Sequence, residues 1–197
     1  MKLFLLIDTS GSMDGYKIQS VNDTMDNVIL NFQEAAHTSG VDIYISVLTF
    51  SRKVEWMYPE SKHVLDFSWS SLDAGGMTCL GKACLALNDS LCALEEDNEK
   101  NVIILMSDGC PTDDFDEGIE ALESNKAFND ASRYSIAIGN DASIPTLTRF
   151  SSSAEAVYTV DVIDKLYDCI NTILENCLSK NPTTTTSSES YDDDEWS

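Results

Sequence analysis

Short runs of apolar residues alternate along this chain with segments in which apolar residues recur every three or four positions. Leu3–Ile7 and Val102–Met106 are the two runs that contain no polar residue. Unbroken apolar runs of this length are typical of strands buried on both faces of a sheet. Mixed segments predict four more strands, at Ile43–Phe50, Val54–Tyr58, Tyr134–Ile138 and Val157–Val160.

The three- and four-residue spacing of apolar side chains predicts five helices. Their ranges are 18–32, 80–94, 115–124, 144–150 and 162–177. Strands that alternate with helices indicate a mostly parallel sheet with helices on both faces. The predicted fold is therefore a doubly wound α/β sheet of six strands, mostly parallel, with one antiparallel edge strand at 54–58.

The composition changes after Lys180. Residues 181–197 consist mainly of Thr, Ser and acidic residues, which is typical of segments that cannot bury a core. Because domains usually hold about 100–200 residues, we interpret the chain as one domain, residues 1–180, followed by an acidic, disordered tail, residues 181–197.

The charge of the chain restricts its partners. With 34 acidic and 12 basic residues, the formal charge is −22, whereas nucleic-acid binding needs a basic face. We expect no nucleic-acid or membrane partner, and we expect a cation or a partner with basic patches. Four acids at 113, 114, 116 and 117 are interpreted as interacting with the dipole of the helix that follows.

The first apolar run is too short for a signal peptide, and no run reaches the roughly 18 residues of a membrane helix, so we expect a cytoplasmic protein.

The first strand leads directly into Asp8-Thr9-Ser10-Gly11-Ser12. Alternate residues of an extended chain share a side, so Asp8, Ser10 and Ser12 converge, while Gly11 allows the backbone to turn closely around them. One carboxylate and two hydroxyls are hard oxygen ligands, which suit Mg²⁺, Mn²⁺ or Ca²⁺. This pattern alone is a weak signal because serine is common.

Two more oxygen-bearing residues fall where the predicted fold would bring them close. Asp108 follows the buried strand 102–106, and Thr78 ends a glycine-containing loop just before a helix. Open α/β sheets bind their ligands outside the carboxyl ends of the strands. Each segment alone is explained equally well by turns or helix caps, but the three together, in this order, favour a metal site.

These motifs resemble the metal-ion-dependent adhesion site of von Willebrand factor type A domains, and the resemblance extends over residues 2–177. Within that family, Asp108–Asp114 and Gly75–Ala83 look most like bacterial TerY-type proteins of tellurium-resistance and stress operons. Met77 and Cys110 depart from what is usual beside the site, but neither adds or removes a metal ligand.

The resemblance implies a role for each residue of the site. Ser10, Ser12 and Thr78 would bind the metal directly, and Asp8 and Asp108 would bind it directly or through waters. The cofactor would be Mg²⁺, with Mn²⁺ and Ca²⁺ as alternatives. The implied function is a protein-binding module in which a partner's Asp or Glu completes the metal shell, and the partner could be a kinase or phosphatase encoded in the same operon.

The main alternative is a metal-dependent phosphohydrolase on a similar α/β sheet. Such an enzyme needs a nucleophile or a base beside the metal. A haloacid-dehalogenase-type site would place a second acid where the chain has Ser10, and a receiver-type site would place paired acids where it has only Asp8. The two histidines, His37 and His63, are far in sequence from these loops. We therefore expect a binding module and no enzymatic activity.

Overall fold

Seven strands and six α-helices are present in the computed structural model, which describes residues 1–94, 99–161 and 163–179. The strands are β1 (Lys2–Asp8), β2 (Tyr44–Phe50), β3 (Val54–Trp56), β4 (Lys62–His63), β5 (Asn101–Ser107), β6 (Ser132–Ile138) and β7 (Val157–Val160). The helices are α1 (Tyr16–Ser39), α2 (Leu80–Cys92), α3 (Phe115–Glu123), α4 (Lys126–Asp130), α5 (Ile144–Phe150) and α6 (Ile163–Ser179). The predicted tail, 181–197, and Val162 lie outside the described residues.

The strands form one sheet in the order β3-β2-β1-β5-β6-β7. Neighbouring strands from β2 to β7 along this order are parallel, whereas β3 and the two-residue β4 pair with β2 in the antiparallel sense. The predicted doubly wound, mostly parallel sheet is confirmed. The prediction of six strands did not include β4, because two residues are too few to show an alternation of apolar and polar positions. The edge strand also ends earlier than predicted, at Trp56.

The direction of chain winding reverses between β1 and β5. From β1 the chain adds β2 and β3 on one side, and from β5 it adds β6 and β7 on the other. β1 and β5 are hydrogen-bonded neighbours. A crevice forms outside the carboxyl ends of two strands at such a reversal, and here Asp8 ends β1 while Asp108 directly follows β5.

The sheet is buried on both faces. Leu3, Leu5 and Ile7 of β1 pack into a core with α1 and α6, whereas Phe4 and Leu6 pack into a second core with α2, α3 and α5. This two-sided burial explains why β1 is an unbroken apolar run. Among the described residues, no helix combines the length and apolar content needed to cross a bilayer.

Two helices differ most from the sequence-based prediction, while the bounds of the others agree to within two residues. α1 continues to Ser39 and ends at Gly40, whose φ of +66° is in the left-handed region that favours glycine. α4 was not predicted, because a helix of five residues buries only Phe128. The side chain of Asn125 starts it by accepting hydrogen bonds from the N–H groups of Ala127 and Phe128.

Candidate metal centre

The carboxyl end of β1 brings three of the predicted residues together. Asp8 and Ser10 are fully buried, and Ser12 is exposed in the short 3₁₀ turn that follows. The Ser10 N–H donates to Asp8 Oδ1 over 2.8 Å, and the hydroxyl oxygens of Ser10 and Ser12 are 3.0 Å apart. Gly11 favours a close approach of the two loops, because a Cβ at this position would lie 3.3 Å from the carbonyl oxygen of Gly76, a tighter contact than most Cβ atoms make.

Both carboxylate oxygens of Asp8 accept hydrogen bonds. Asp8 Oδ2 accepts from the Ser107 hydroxyl at 2.6 Å, and Ser107 Oγ in turn accepts from the Gly109 N–H at 2.7 Å. Burial raises the pKa of the Asp8 carboxyl, the hydrogen bonds from Ser10 and Ser107 lower it, and the charge of Asp108 raises it. The net effect is a raised pKa, which means that the site disfavours the charged form of Asp8. A positive charge placed nearby would stabilise this carboxylate.

A buried lysine lies beside the second acid of the site. Asp108 is almost fully buried, and Lys17 Nζ is 3.5 Å from its Oδ2 and 2.9 Å from Asp141 Oδ1. Burial lowers the pKa of Lys17, but the hydrogen bond to Asp141 and the attraction of Asp108 outweigh this, so its pKa is raised. Gly139 makes room for the lysine, because a Cβ there would be 2.6 Å from Lys17 Cε. The centre thus contains an ammonium group of its own.

The loop that carries Thr78 is fastened to the turn after β1. The Gly75 N–H donates to the carbonyl oxygen of Thr9 at 2.8 Å, and the Gly11 N–H donates to that of Gly76 at 3.0 Å. These two bonds bring the buried Thr78 to the same edge of the sheet as the other site residues.

Thr112 joins the same loop to the segment after β5. Its N–H donates to the Thr78 carbonyl oxygen at 2.8 Å, and its hydroxyl lies 3.2 Å from that oxygen. The Thr78 N–H donates to Thr112 Oγ1 at 3.1 Å. Thr112 therefore holds the backbone of Thr78 through its own backbone and side chain.

The acids after Asp108 act differently from one another. Asp114 caps α3 as expected, accepting from the Glu117 N–H at 3.1 Å. Asp113, expected at the same helix, instead accepts from the N–H groups of Gly81 and Lys82 at 3.0 and 2.9 Å. It caps α2, the helix that follows the Thr78 loop, and so ties together two of the loops at the site.

The structure brings the predicted residues Asp8, Ser10, Ser12, Thr78 and Asp108 to one edge of the sheet. Sequence reasoning assigned no supporting role to Lys17, Ser107 or Thr112, whose side chains contact the site residues. Of these three residues, only Lys17 could have been noticed in the sequence, because it is a charged residue on the face of an amphipathic helix that is otherwise buried.

The donor atoms at this edge fit a hard divalent cation. Around octahedral Mg²⁺, with ligands at about 2.0–2.1 Å, neighbouring oxygens are about 3 Å apart, which matches the 3.0 Å between Ser10 Oγ and Ser12 Oγ. In the part of the chain that the structure describes, no group of three or more His, Cys, Asp or Glu residues could hold a metal. A cation at this edge would therefore rely on hydroxyl groups and water as well as carboxylates.

Both histidines lie at the opposite end of the sheet. His37 is in the last turn of α1, and His63 of β4 pairs with Tyr44 at the start of β2. Neither can serve as an acid or base at the candidate centre.

The family follows from a comparison of the whole sequence. The family model of the von Willebrand factor type A domain matches residues 3–172. The chain belongs to the von Willebrand factor type A (VWA) family. No curated protein sequence matches this VWA domain.

Several solved structures resemble this VWA domain. The pilus adhesin SpaC from Lactobacillus rhamnosus GG aligns with a TM-score of 0.73 and 13% identity over 90% of this chain and 30% of its own. The vWF domain of the type V pili tip protein Mfa5 from Porphyromonas gingivalis aligns with a TM-score of 0.71 and 10% identity over 94% of this chain and 97% of its own. Proximal thread matrix protein 1 from the mussel byssus, with a zinc-occupied MIDAS motif, aligns with a TM-score of 0.67 and 17% identity over 90% of this chain and 45% of its own.

These likenesses show the fold alone. The VWA domain spans less than half the length of the pilus adhesin and of the byssus protein, whereas it spans nearly all of the Mfa5 domain. VWA domains commonly mediate protein–protein interactions, often through a bound metal, and are typically not enzymes.

Proposed function

We propose that this VWA domain binds one divalent cation, Mg²⁺ or Mn²⁺, and uses it to hold a carboxylate from a protein partner. Ser10, Ser12 and Thr78 would bind the cation directly, and Asp8 and Asp108 would bind it directly or through waters. Ca²⁺ fits the same oxygen donors less closely, since its ligands lie at about 2.3–2.6 Å.

The arrangement of Asp8, Ser10 and Ser12 carries this proposal. Both oxygens of Asp8 are engaged by protein donors, so Asp8 is suited to hold a metal-bound water. The two serine hydroxyls are hydrogen-bonded to each other over 3.0 Å, and each keeps an oxygen lone pair that would bind the cation. Neutral hydroxyl ligands neutralise little of the charge of the cation, which therefore retains a strong attraction for an additional carboxylate. The zinc-occupied MIDAS motif of the byssus protein is in keeping with a metal in this family.

Calorimetric titration of the 197-residue chain with Mg²⁺, Mn²⁺, Ca²⁺ and Zn²⁺ tests the metal site. We expect one Mg²⁺ or Mn²⁺ per chain, no binding by Asp8→Ala, and at least about tenfold weaker binding by Ser12→Ala, which removes one of few ligands. Ser12 is exposed, so its substitution should leave the fold intact. Asp23→Ala, at an exposed position of α1, controls for the loss of one negative charge. Unchanged affinity in both site variants would refute the assignment.

We also propose a cytoplasmic partner from a stress-signalling or tellurite-resistance assembly, such as a kinase or phosphatase. The support is the resemblance of residues 75–83 and 108–114 to TerY-type proteins. Because the chain carries a formal charge of −22, the partner surface should be basic overall and present one acidic side chain. Co-purification from the native host, with Mg²⁺ and then with EDTA, tests this: a partner retained equally in EDTA would show that the cation is not the contact.

A further inference from the structure

Three large apolar side chains are exposed at the edge of the sheet that carries the candidate metal centre. They are Tyr16, Met77 and Ile144, with exposed fractions of 59%, 47% and 41%. They stand on three different connections: the start of α1, the loop before α2, and the start of α5. None belongs to either core of the described structure.

Each of the three is next in sequence to a residue that belongs to the centre or bonds to one of its residues. Tyr16 precedes Lys17, whose ammonium group contacts Asp108. Met77 precedes Thr78. Ile144 follows Ser143, whose N–H donates to the Asp108 carbonyl oxygen at 2.6 Å. The three exposed apolar side chains therefore lie on the same connections as the residues that form or support the centre.

The other large apolar side chains exposed in the described residues are not grouped in this way. Leu30 lies midway along α1, while Tyr44 and Leu65 lie near the amino end of β2. Scattered exposed apolar residues are usual on protein surfaces, whereas several around one polar site are typical of an interaction surface. Binding of a partner would remove this apolar surface from water, which favours association in proportion to the area buried.

The charges at this edge restrict the partner further. Asp14 and Asp141 are exposed beside the centre, and the chain as a whole is strongly acidic. Asp141 is paired with Lys17, and the exposed Arg52 lies next to Gly76 in the Met77 loop, so the charge close to the centre is mixed. The charge of −22 on the chain as a whole would repel a partner segment with several acids, although one carboxylate is needed to reach the cation. A single carboxylate with apolar residues next to it would reach the cation and avoid this repulsion. The apolar residues add contact with Tyr16, Met77 and Ile144 without adding negative charge.

We propose that Tyr16, Met77 and Ile144 form an apolar rim that selects a protein segment with a single Asp or Glu flanked by apolar residues. This inference rests on the proposed function, since the cation must hold the acid. The basic character of the partner then lies outside the rim, where it affects the rate of association, while the rim and the cation determine the rate of dissociation.

A library of random twelve-residue peptides displayed on phage tests the rim. The 197-residue chain is panned in saturating Mg²⁺ and, in parallel, in EDTA. We expect Mg²⁺-dependent clones that share one acid with apolar residues on one or both sides. Mg²⁺-dependent clones whose acid is flanked by polar or charged residues would overturn the rim and leave the proposed function standing. A selection that yields only clones binding equally in EDTA, with no Mg²⁺-dependent clones, would overturn both.

Substitutions in the rim give the second measurement. Using a synthetic peptide from the selection, Tyr16→Ser, Met77→Ser and Ile144→Ser should each weaken binding by about tenfold, the usual effect of removing an important apolar contact. Their affinity for Mg²⁺ alone should be unchanged, because none of the three is among the proposed ligands of the cation. Leu65→Ser, at 45% exposure, is the matched control and should bind the peptide like the unaltered protein. Equal peptide binding by all four variants would refute the rim.

Discussion

One methyl group at Gly118 should destabilise the protein, although helix propensity predicts the opposite. Gly118 lies within α3, where replacing glycine by alanine normally stabilises a helix by about 0.5–1 kcal/mol. Here α3 crosses α2 so closely that a Cβ at Gly118 would lie 2.8 Å from Gly81 Cα and closer still to the Gly81 carbonyl oxygen. These are backbone atoms, so no change of side-chain rotamer can relieve the contact.

The expected cost follows from this geometry. Inserting a methyl group into a closely packed interface costs about 1–3 kcal/mol, and a backbone contact places Gly118→Ala at the upper end of that range or beyond it. After subtraction of the gain in helix propensity, we expect the free energy of unfolding to fall by about 2 kcal/mol. That is a large share of the roughly 5–15 kcal/mol that stabilises most domains.

Urea denaturation followed by circular dichroism measures the effect. Gly75→Ala is the matched control, because a Cβ there meets nothing within 4 Å, and its midpoint should be close to that of the unaltered protein. Mg²⁺ affinity should fall in Gly118→Ala, since the α2–α3 contact also seats the Asp113 cap beside the Thr78 loop. A Gly118→Ala protein as stable as the unaltered one would refute the close helix crossing.

Three further predictions concern the residues that support the centre. Thr112→Val should weaken Mg²⁺ binding at least about tenfold, the usual effect of losing a residue that holds a ligand, and Thr112→Ser should restore it; equal calorimetric affinities for the two variants would contradict this. Ser107→Ala leaves the Gly109 N–H without its acceptor and should lower the free energy of unfolding by about 1–3 kcal/mol, so an unchanged urea midpoint would count against it. Lys17→Met should lower the Tm in EDTA because the buried Asp108 loses its neighbouring cation. It should also enlarge the rise in Tm on adding Mg²⁺, because the ammonium no longer repels the metal; a smaller rise than in the unaltered protein would show that the lysine assists binding.

The sequence predicted those parts of the structure whose cause is local. β1 and β5 could be identified because burial on both faces requires unbroken apolar runs, and Asp8, Ser10 and Ser12 could be grouped because alternation along one short segment places them together. The alternation of strands and helices then indicated a mostly parallel sheet covered by helices, but it did not predict the order of the strands.

The supporting contacts could not be predicted because they join residues that are distant in sequence. Lys17 reaches Asp141 across 124 positions, and Thr112 binds Thr78 across 34. Taken alone, a lysine in a helix or a threonine in a loop is most simply interpreted as a surface residue. Asp113 was assigned to the wrong helix for the same reason, since its partners at the start of α2 come from an earlier part of the chain.

The pairing of β1 with β5 has a consequence for folding. Ser107 and Asp8 are 99 positions apart, so the centre exists only after the middle of the sheet has assembled, and the unfolded chain has no equivalent site. A ligand that binds only the native state adds RT ln(1 + [L]/Kd) to stability, about 2.7 kcal/mol at a hundred times Kd. The cation would therefore shift the folding equilibrium before any partner arrives. Removing it with a chelator should increase the unfolded fraction about a hundredfold under those conditions.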